Sequence, residues 1–335
     1  SKIFELPFKH PFTISKGTKT HQPIFVVGLE WNGVVGYGEA PAITYYGITA
    51  QRMAQDLERK KSLVERFALT DPKRFWHFLH HLFPDNPFLV CALDMAGWDL
   101  YGKLRNAPLY RLFNADPTKT LVSDYTIGIA DTERMVGKML EKPWPIYKIK
   151  VGTDGDLERL KALRALTDAP FRVDANAGWS LDEAVEKIPA MVELGVELVE
   201  QPLAKDDWSG MSILQSRSAI PLYADESCVG KEDVAACAGH FHGINIKLTK
   251  CGGITPVLEM VGKARKEGLG LMLGTMNESS LGTAAMAHLS PLFDKLDADG
   301  PLLLSEDIAE GLSYVENRLS IPEGPGLGID LTNPF

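Results

Sequence analysis

The chain has 335 residues, 45% of them hydrophobic and 24% charged, and its 44 acidic and 35 basic side chains give a formal net charge of −9 at pH 7. That length suits one large domain with a smaller one appended. The acidic balance, with no stripe of Lys and Arg, excludes a general nucleic-acid binder, whose affinity would come from neutralising phosphates. The best apolar stretch, PFLVCALDMAGWDLYG, is broken by Asp94 and Asp99, so no membrane span is expected. Cys91, Cys228, Cys237 and Cys251 lack paired metal-type spacing and read as buried reduced thiols, which suits the cytoplasm.

Up to about residue 115 the chain does not alternate strand and helix. IFVVGLEW and VVGYGEA read as strands joined at Asn32-Gly33, a dipeptide that accepts the positive φ of a tight hairpin turn. ITAQRMAQDLERKKSLVERF and PFLVCALDMAGWDLYGKL follow, with apolar residues at helical spacing. A hairpin followed by helices predicts an α+β unit over 1–115, which the Pro- and Gly-containing segment at about 310–335 folds back to complete.

From Asp116 the rhythm becomes strand, turn, helix. Runs near Tyr125 to Ile129, Tyr147 to Val151, Phe171 to Ala175, Leu198 to Gln201, Leu222 to Asp225, Ile244 to Leu248, Leu271 to Gly274 and Lys295 to Asp297 are predicted strands. Eight parallel strands close an α/β barrel over 116–309. An open doubly wound sheet would carry a Gly-rich phosphate turn after its first strand, and none follows Ile129.

Asp174, Glu200 and Asp225 end three successive runs, with Lys148 and Lys150 on the run before and Lys247 on the run after. The steps from Lys148 through these acids to Lys247 are about 26, 26, 25 and 22 residues, the length of one strand-plus-helix unit. Such a repeat brings all six side chains to the C-terminal rim of a barrel. Three hard oxygen ligands suit Mg²⁺, and a cation also relieves the repulsion among three crowded acids. Lys148 and Lys150, two residues apart on a strand, face the same side. Burial and like charge are expected to lower their pKa values and fit Lys150 to act as a base with Lys148 as helper. A cation beside amine bases supplies stabilisation of the enediolate formed when a proton is removed α to a carboxylate. Lys247, across the barrel, would return a proton to the other face.

The runs Lys148-Ile149-Lys150, Asp174-Ala175-Asn176, Glu200-Gln201-Pro202, Asp225-Glu226-Ser227 and Asn245-Ile246-Lys247, in this order, resemble the enolase superfamily and its muconate lactonizing enzyme subgroup. The superfamily's use of a Lys or His base with Mg²⁺ implies the same cofactor here. The resemblance also implies a (β/α)7β barrel closed by an N-terminal capping domain. The mandelate racemase subgroup would place a His after the seventh strand, where this chain reads LMLGTMNES. His240 and His242 precede the sixth strand and belong to the opposite face of the barrel.

Asp297-Ala298-Asp299, at the end of the eighth strand, resembles the pair of acids with which dipeptide epimerases bind a free α-amino terminus. The implied reaction is epimerisation of the C-terminal residue of a dipeptide, with L-Ala-D/L-Glu and murein peptide turnover as the expectation. Lys16 and Lys19, in the loop Ser15 to Thr20, and Tyr45, in a second lid, would meet the substrate side chain, as would Thr275 and Met276 after the seventh strand. Some relatives acting on Ala-Glu carry an arginine in the first loop, where this chain has lysines. Open alternatives are an o-succinylbenzoate synthase, an N-succinylamino acid racemase, a cycloisomerase, or a non-catalytic barrel serving as a binding protein. The expected partner is a small-molecule dipeptide, with no nucleic acid or membrane, and a homo-oligomer is the general expectation for a soluble enzyme.

Overall fold

The computed structural model describes residues 1–335. Strands β1 (Lys2–Ile14), β2 (Gly17–Trp31) and β3 (Val34–Pro41) form an antiparallel sheet in that order. Asn32 and Gly33 take φ values of 53° and 77°, the two positive angles that a two-residue hairpin turn between paired Trp31 and Val34 demands. β1 is absent from the sequence reading because its alternation is interrupted, with a register shift between Pro7 and Phe12. The expected loop from Ser15 to Thr20 is therefore the end of a long hairpin: β2 starts at Gly17, and Lys19 pairs with Phe12.

Helices α1 (Ala50–Glu65), α2 (Pro72–Leu82) and α3 (Pro87–Leu104) begin at Thr49, Asp71 and Asn86, whose side chains each accept from a backbone N–H of the first turn. α3 is buried on almost every face, lying between β3 and the second half of the chain. Gly38 permits that approach: a Cβ there would meet Ala92 O at 2.1 Å and Ala96 N at 2.6 Å. Gly38→Ala must push sheet and helix apart and is expected to cost about 1–3 kcal/mol. The loss would be read as a lower urea midpoint, and an unchanged midpoint would contradict the contact.

Strands β4 (Tyr125–Ile127), β5 (Tyr147–Lys150), β6 (Phe171–Asp174), β7 (Val196–Glu200), β8 (Leu222–Ala224), β9 (Gly243–Ile246), β10 (Gly270–Gly274) and β11 (Lys295–Asp297) form one parallel sheet in chain order. All eight predicted strands are present. A parallel bridge between Ser123 and Leu296 brings the first strand to the last and rounds the sheet into a barrel. Helices lie between most of the strands, although after β8 only the single turn Val234–Cys237 intervenes.

Strand alternation then sorts the side chains. Ile149, Val173, Val199, Ala224 and Ile246 join the main apolar core. The alternate positions point into the lumen, with Leu198, Tyr223 and Met272 packed in a separate small cluster. Arg172, also at a lumen position, is held by Asp124 at 2.9 Å and Glu197 at 2.7 Å.

The C-terminal segment returns to the first unit. Gly326 N donates to Ala107 O, Leu109 N to Gly326 O, and Leu327 N to Asp99 Oδ1. No helix is long and apolar enough to cross a membrane.

Candidate active site

Asp174 closes β6, Glu200 closes β7, and Asp225 follows β8. One oxygen from each lies within 4.8 Å of the others, and all three residues are buried. The donor set is hard and anionic, it is withdrawn from water, and its members converge on one point. These residues fit a divalent cation of the Mg²⁺ type. Glu200 Oε2 has no aligned hydrogen-bond donor, although Lys148 Nζ lies 2.8 Å from it. Burial and the neighbouring Asp174 push the Glu200 carboxyl up to about 7, the strain expected where acids are crowded.

The lysines line the same lumen. Lys150 Nζ is 2.6 Å from Asp174 Oδ2, and Lys247 Nζ is 2.7 Å from Asp225 Oδ2. In the strand ring, β6, β7 and β8 separate β5 from β9 on one side, and β10, β11 and β4 do so on the other. Lys150 and Lys247 therefore project from opposite walls.

The expected lowering of the Lys148 pKa is not found. Burial does oppose its charge, but Asp297 at 2.7 Å, Glu200 at 2.8 Å and Asp174 at 3.3 Å outweigh burial and hold the ammonium well above the ordinary lysine range. These three acids favour the charged form of Lys148. Lys247 is likewise held up, burial being outweighed by Asp225 and Glu200.

The two acids at the end of the eighth strand part company. Asp297 lines the cavity and pairs with Lys148. β11 stops at Asp297, so strand parity does not extend to Asp299, which is fully buried at the N-terminal end of the short helix Gly300–Leu303 and is not part of the cavity wall. Its Oδ2 accepts from Thr126 N at 2.6 Å, and burial with the nearby Asp297 pushes it up to about 6. In each of the two residues Oδ1 is buried without a partner.

Above these groups opens a cavity of about 360 Å³. Lys150, Lys247, Asp225 and Asp297 line it from the barrel, and Thr275 and Met276 contribute from the end of β10. Phe12, Ile14, Lys16, Lys19, Tyr45 and Tyr46 of the first unit form its roof. Lys16 Nζ sits 4.9 Å from the centre of the Tyr45 ring, and Lys19 Nζ lies 3.4 Å from Gln22 Oε1.

Other residues at the site were given no role by the sequence reading. Lys250 donates to Asp225 Oδ1 at 2.6 Å, Asn245 Nδ2 donates to Glu200 Oε1 at 2.7 Å, and Glu226 lines the cavity with Oε2 unpartnered. Lys250 follows Lys247 by three residues across one helical turn, a spacing that places it beside the acid. His242 accepts from Leu222 N at the start of β8, at the opposite end of the barrel as expected. Cys91, Cys228 and Cys237 are buried free thiols, while Cys251 is only partly buried.

Known families and solved structures resemble this chain over almost its whole length. Residues 2–113 match the mandelate racemase / muconate lactonizing enzyme N-terminal domain, and residues 131–334 match the enolase C-terminal domain-like model. The chain is 47% identical over 331 residues to an L-Ala-D/L-amino acid epimerase of Maribacter sp., covering 98% of each chain. The substrate-liganded L-Ala-D/L-Glu epimerase from Bacillus subtilis superposes with a TM-score of 0.93 at 31% identity, covering 98% of this chain and 96% of that one. A dipeptide epimerase from Enterococcus faecalis, complexed with Mg and L-Leu-L-Tyr, superposes at 0.92 with 30% identity, covering 98% and 97%. Family models over both halves of the chain, and relatives spanning nearly all of it, show that this protein belongs to the mandelate racemase / muconate lactonizing enzyme family of the enolase superfamily.

Proposed function

We propose that the protein is a Mg²⁺-dependent dipeptide epimerase that inverts the α-carbon of the C-terminal residue by proton transfer between two lysines. The observation that carries this reading is the placement of Lys150 and Lys247 on opposite walls of one cavity, with three converging carboxylates between them. Asp174, Glu200 and Asp225 would hold Mg²⁺, which when bound supplies Lewis-acid stabilisation of negative charge on a substrate carboxylate. Lys150 removes the α-proton from one face and Lys247 delivers one to the other. Lys148, kept charged by its acidic neighbours, offsets negative charge on the deprotonated substrate. Asp297 and Asp299 receive the substrate ammonium; what supports this is that Asp297 lines the cavity and that each of the two keeps a buried Oδ1 without a partner.

Residues 1–115, completed by 310–335, act in this reading as a cap over the 116–309 barrel. The cap supplies specificity through Lys16, Lys19 and Tyr45, with Thr275 and Met276 facing them from the barrel. Two lysines in the roof favour an acidic second residue, so L-Ala-D/L-Glu is the substrate we favour, as a product of murein peptide breakdown in the cytoplasm.

Incubating a library of dipeptides and N-succinyl amino acids in D₂O and reading mass gain tests reaction and specificity together. One deuterium at the C-terminal α-carbon of L-Ala-Xaa substrates is expected, and uptake confined to N-succinyl amino acids would overturn the reading. Replacing both Lys16 and Lys19 by alanine is expected to raise KM for L-Ala-L-Glu about tenfold, the worth of one charge-assisted contact. KM for L-Ala-L-Leu should stay constant, and an equal rise for both substrates would remove the two lysines from the specificity role.

A further inference from the structure

We infer that Asn245 and Lys250 decide which divalent cation the site accepts, by committing one oxygen of Glu200 and one of Asp225 to the protein. The inference rests on the metal-site reading above. Each of the three carboxylates has one oxygen turned away from the lysine bases and held by a rigid donor. Asp174 Oδ1 accepts from Asn176 N at 2.9 Å, Glu200 Oε1 from Asn245 Nδ2 at 2.7 Å, and Asp225 Oδ1 from Lys250 Nζ at 2.6 Å. The remaining oxygens, Asp174 Oδ2, Glu200 Oε2 and Asp225 Oδ2, are those that Lys150, Lys148 and Lys247 approach.

Lys250 differs from the other three lysines in what fixes it. Its ammonium also reaches Asp225 O at 2.5 Å, Cys228 O at 2.9 Å and Asn245 O at 3.1 Å. It is 2% exposed and is not part of the wall of the substrate cavity. A cation enclosed by four oxygens has no lower-energy position to swing to, so Asp225 Oδ1 stays engaged. Asn245 is held by packing, its Oδ1 having no hydrogen-bond partner. It is fully buried at a lumen position of β9, and Gly274 leaves room for its amide, since a Cβ at 274 would meet Asn245 Oδ1 at 2.3 Å.

A site that offers one oxygen per carboxylate suits a small cation with a regular six-fold shell completed by water and substrate. Ca²⁺ draws its affinity from carboxylates that can bind through both oxygens and from seven or eight ligands. Locking one oxygen on each acid therefore discriminates against Ca²⁺ without any contact to the ion, and Asn245 and Lys250 act as positioning residues.

Calorimetric titration of the whole protein with MgCl₂ and with CaCl₂ tests this. Lys250→Met and Asn245→Leu free the locked oxygens, and each is expected to move the ratio of the Ca²⁺ to the Mg²⁺ dissociation constant about tenfold toward Ca²⁺. A general folding defect weakens both ions and leaves the ratio alone. A ratio within about twofold of the wild type in both variants overturns the inference. Should the variants fail to fold, the wild-type protein crystallised with Ca²⁺ decides: one oxygen from Glu200 and one from Asp225 on the ion is expected, and either acid binding through both overturns it. A wild-type protein that binds neither ion overturns the metal-site reading itself.

Discussion

Lys150→Ala and Lys247→Ala are each expected to reduce epimerisation by about 10²- to 10⁴-fold, the usual contribution of a positioned base. Each variant should still exchange the α-proton of one stereoisomer with solvent deuterium, and the two should exchange opposite stereoisomers. The lysines stand on opposite walls, so each reaches only one face of a planar intermediate. A variant that keeps one base can remove a proton and put deuterium back on the same face, without inversion. The test therefore separates loss of chemistry from loss of fold, because a misfolded variant loses both reactions. Both residues also pair with a buried acid, Lys150 with Asp174 and Lys247 with Asp225. Asp225 retains Lys250 when Lys247 is removed, which limits the structural damage of that variant. Full epimerisation by either variant would sink the two-base scheme.

How much of this was legible in the sequence depends on whether a position is set by the chain alone. The barrel strands, the acids that end them and the parity of Lys148 and Lys150 follow from a local rule, that side chains on a strand alternate. Beyond Asp297 that rule ends, because the chain turns into a short helix and parity no longer says where Asp299 points. The direction in which the Lys148 pKa moves is hidden from the sequence for a different reason. Its sequence neighbour is another lysine, but its neighbours in space are three carboxylates from other strands. β1 was missed where a register shift breaks its alternation, and with it the fact that Lys19 lies on a paired strand and not on a free loop. Asn245 stands two residues before Lys247, but nothing local says that its amide reaches past β8 to Glu200.

Glu200→Gln is expected to abolish epimerisation, by about a thousandfold or more, while leaving the metal-free protein as stable as the wild type or more stable. The loss of activity follows from the central place of Glu200 among the three converging acids. Lewis-acid stabilisation is worth several kcal/mol, and each 1.4 kcal/mol is about tenfold in rate. The stability follows from the opposite side of the same arrangement. Glu200 is fully buried, and its charge is disfavoured first by burial and then by Asp174, so a neutral side chain of the same shape relieves both. Asn245 can still donate to the glutamine oxygen, and Lys148, which faces the other end of the side chain, keeps Asp297 and Asp174 as partners. Mg²⁺ should raise the wild-type melting temperature, since an ion bound only by the folded state at about a hundred times its Kd adds about 2.7 kcal/mol. In Glu200→Gln that rise should vanish. Chelation with EDTA should silence the wild type, and added Mg²⁺ should restore it, whereas the variant should stay inactive at any Mg²⁺ concentration. A variant that melts far below the metal-free wild type would show that Glu200 supports the fold. A chelated wild type that keeps its activity would remove the cation from the reaction. The expected combination, a more comfortable protein with no chemistry, is what a site built from mutually repelling acids predicts.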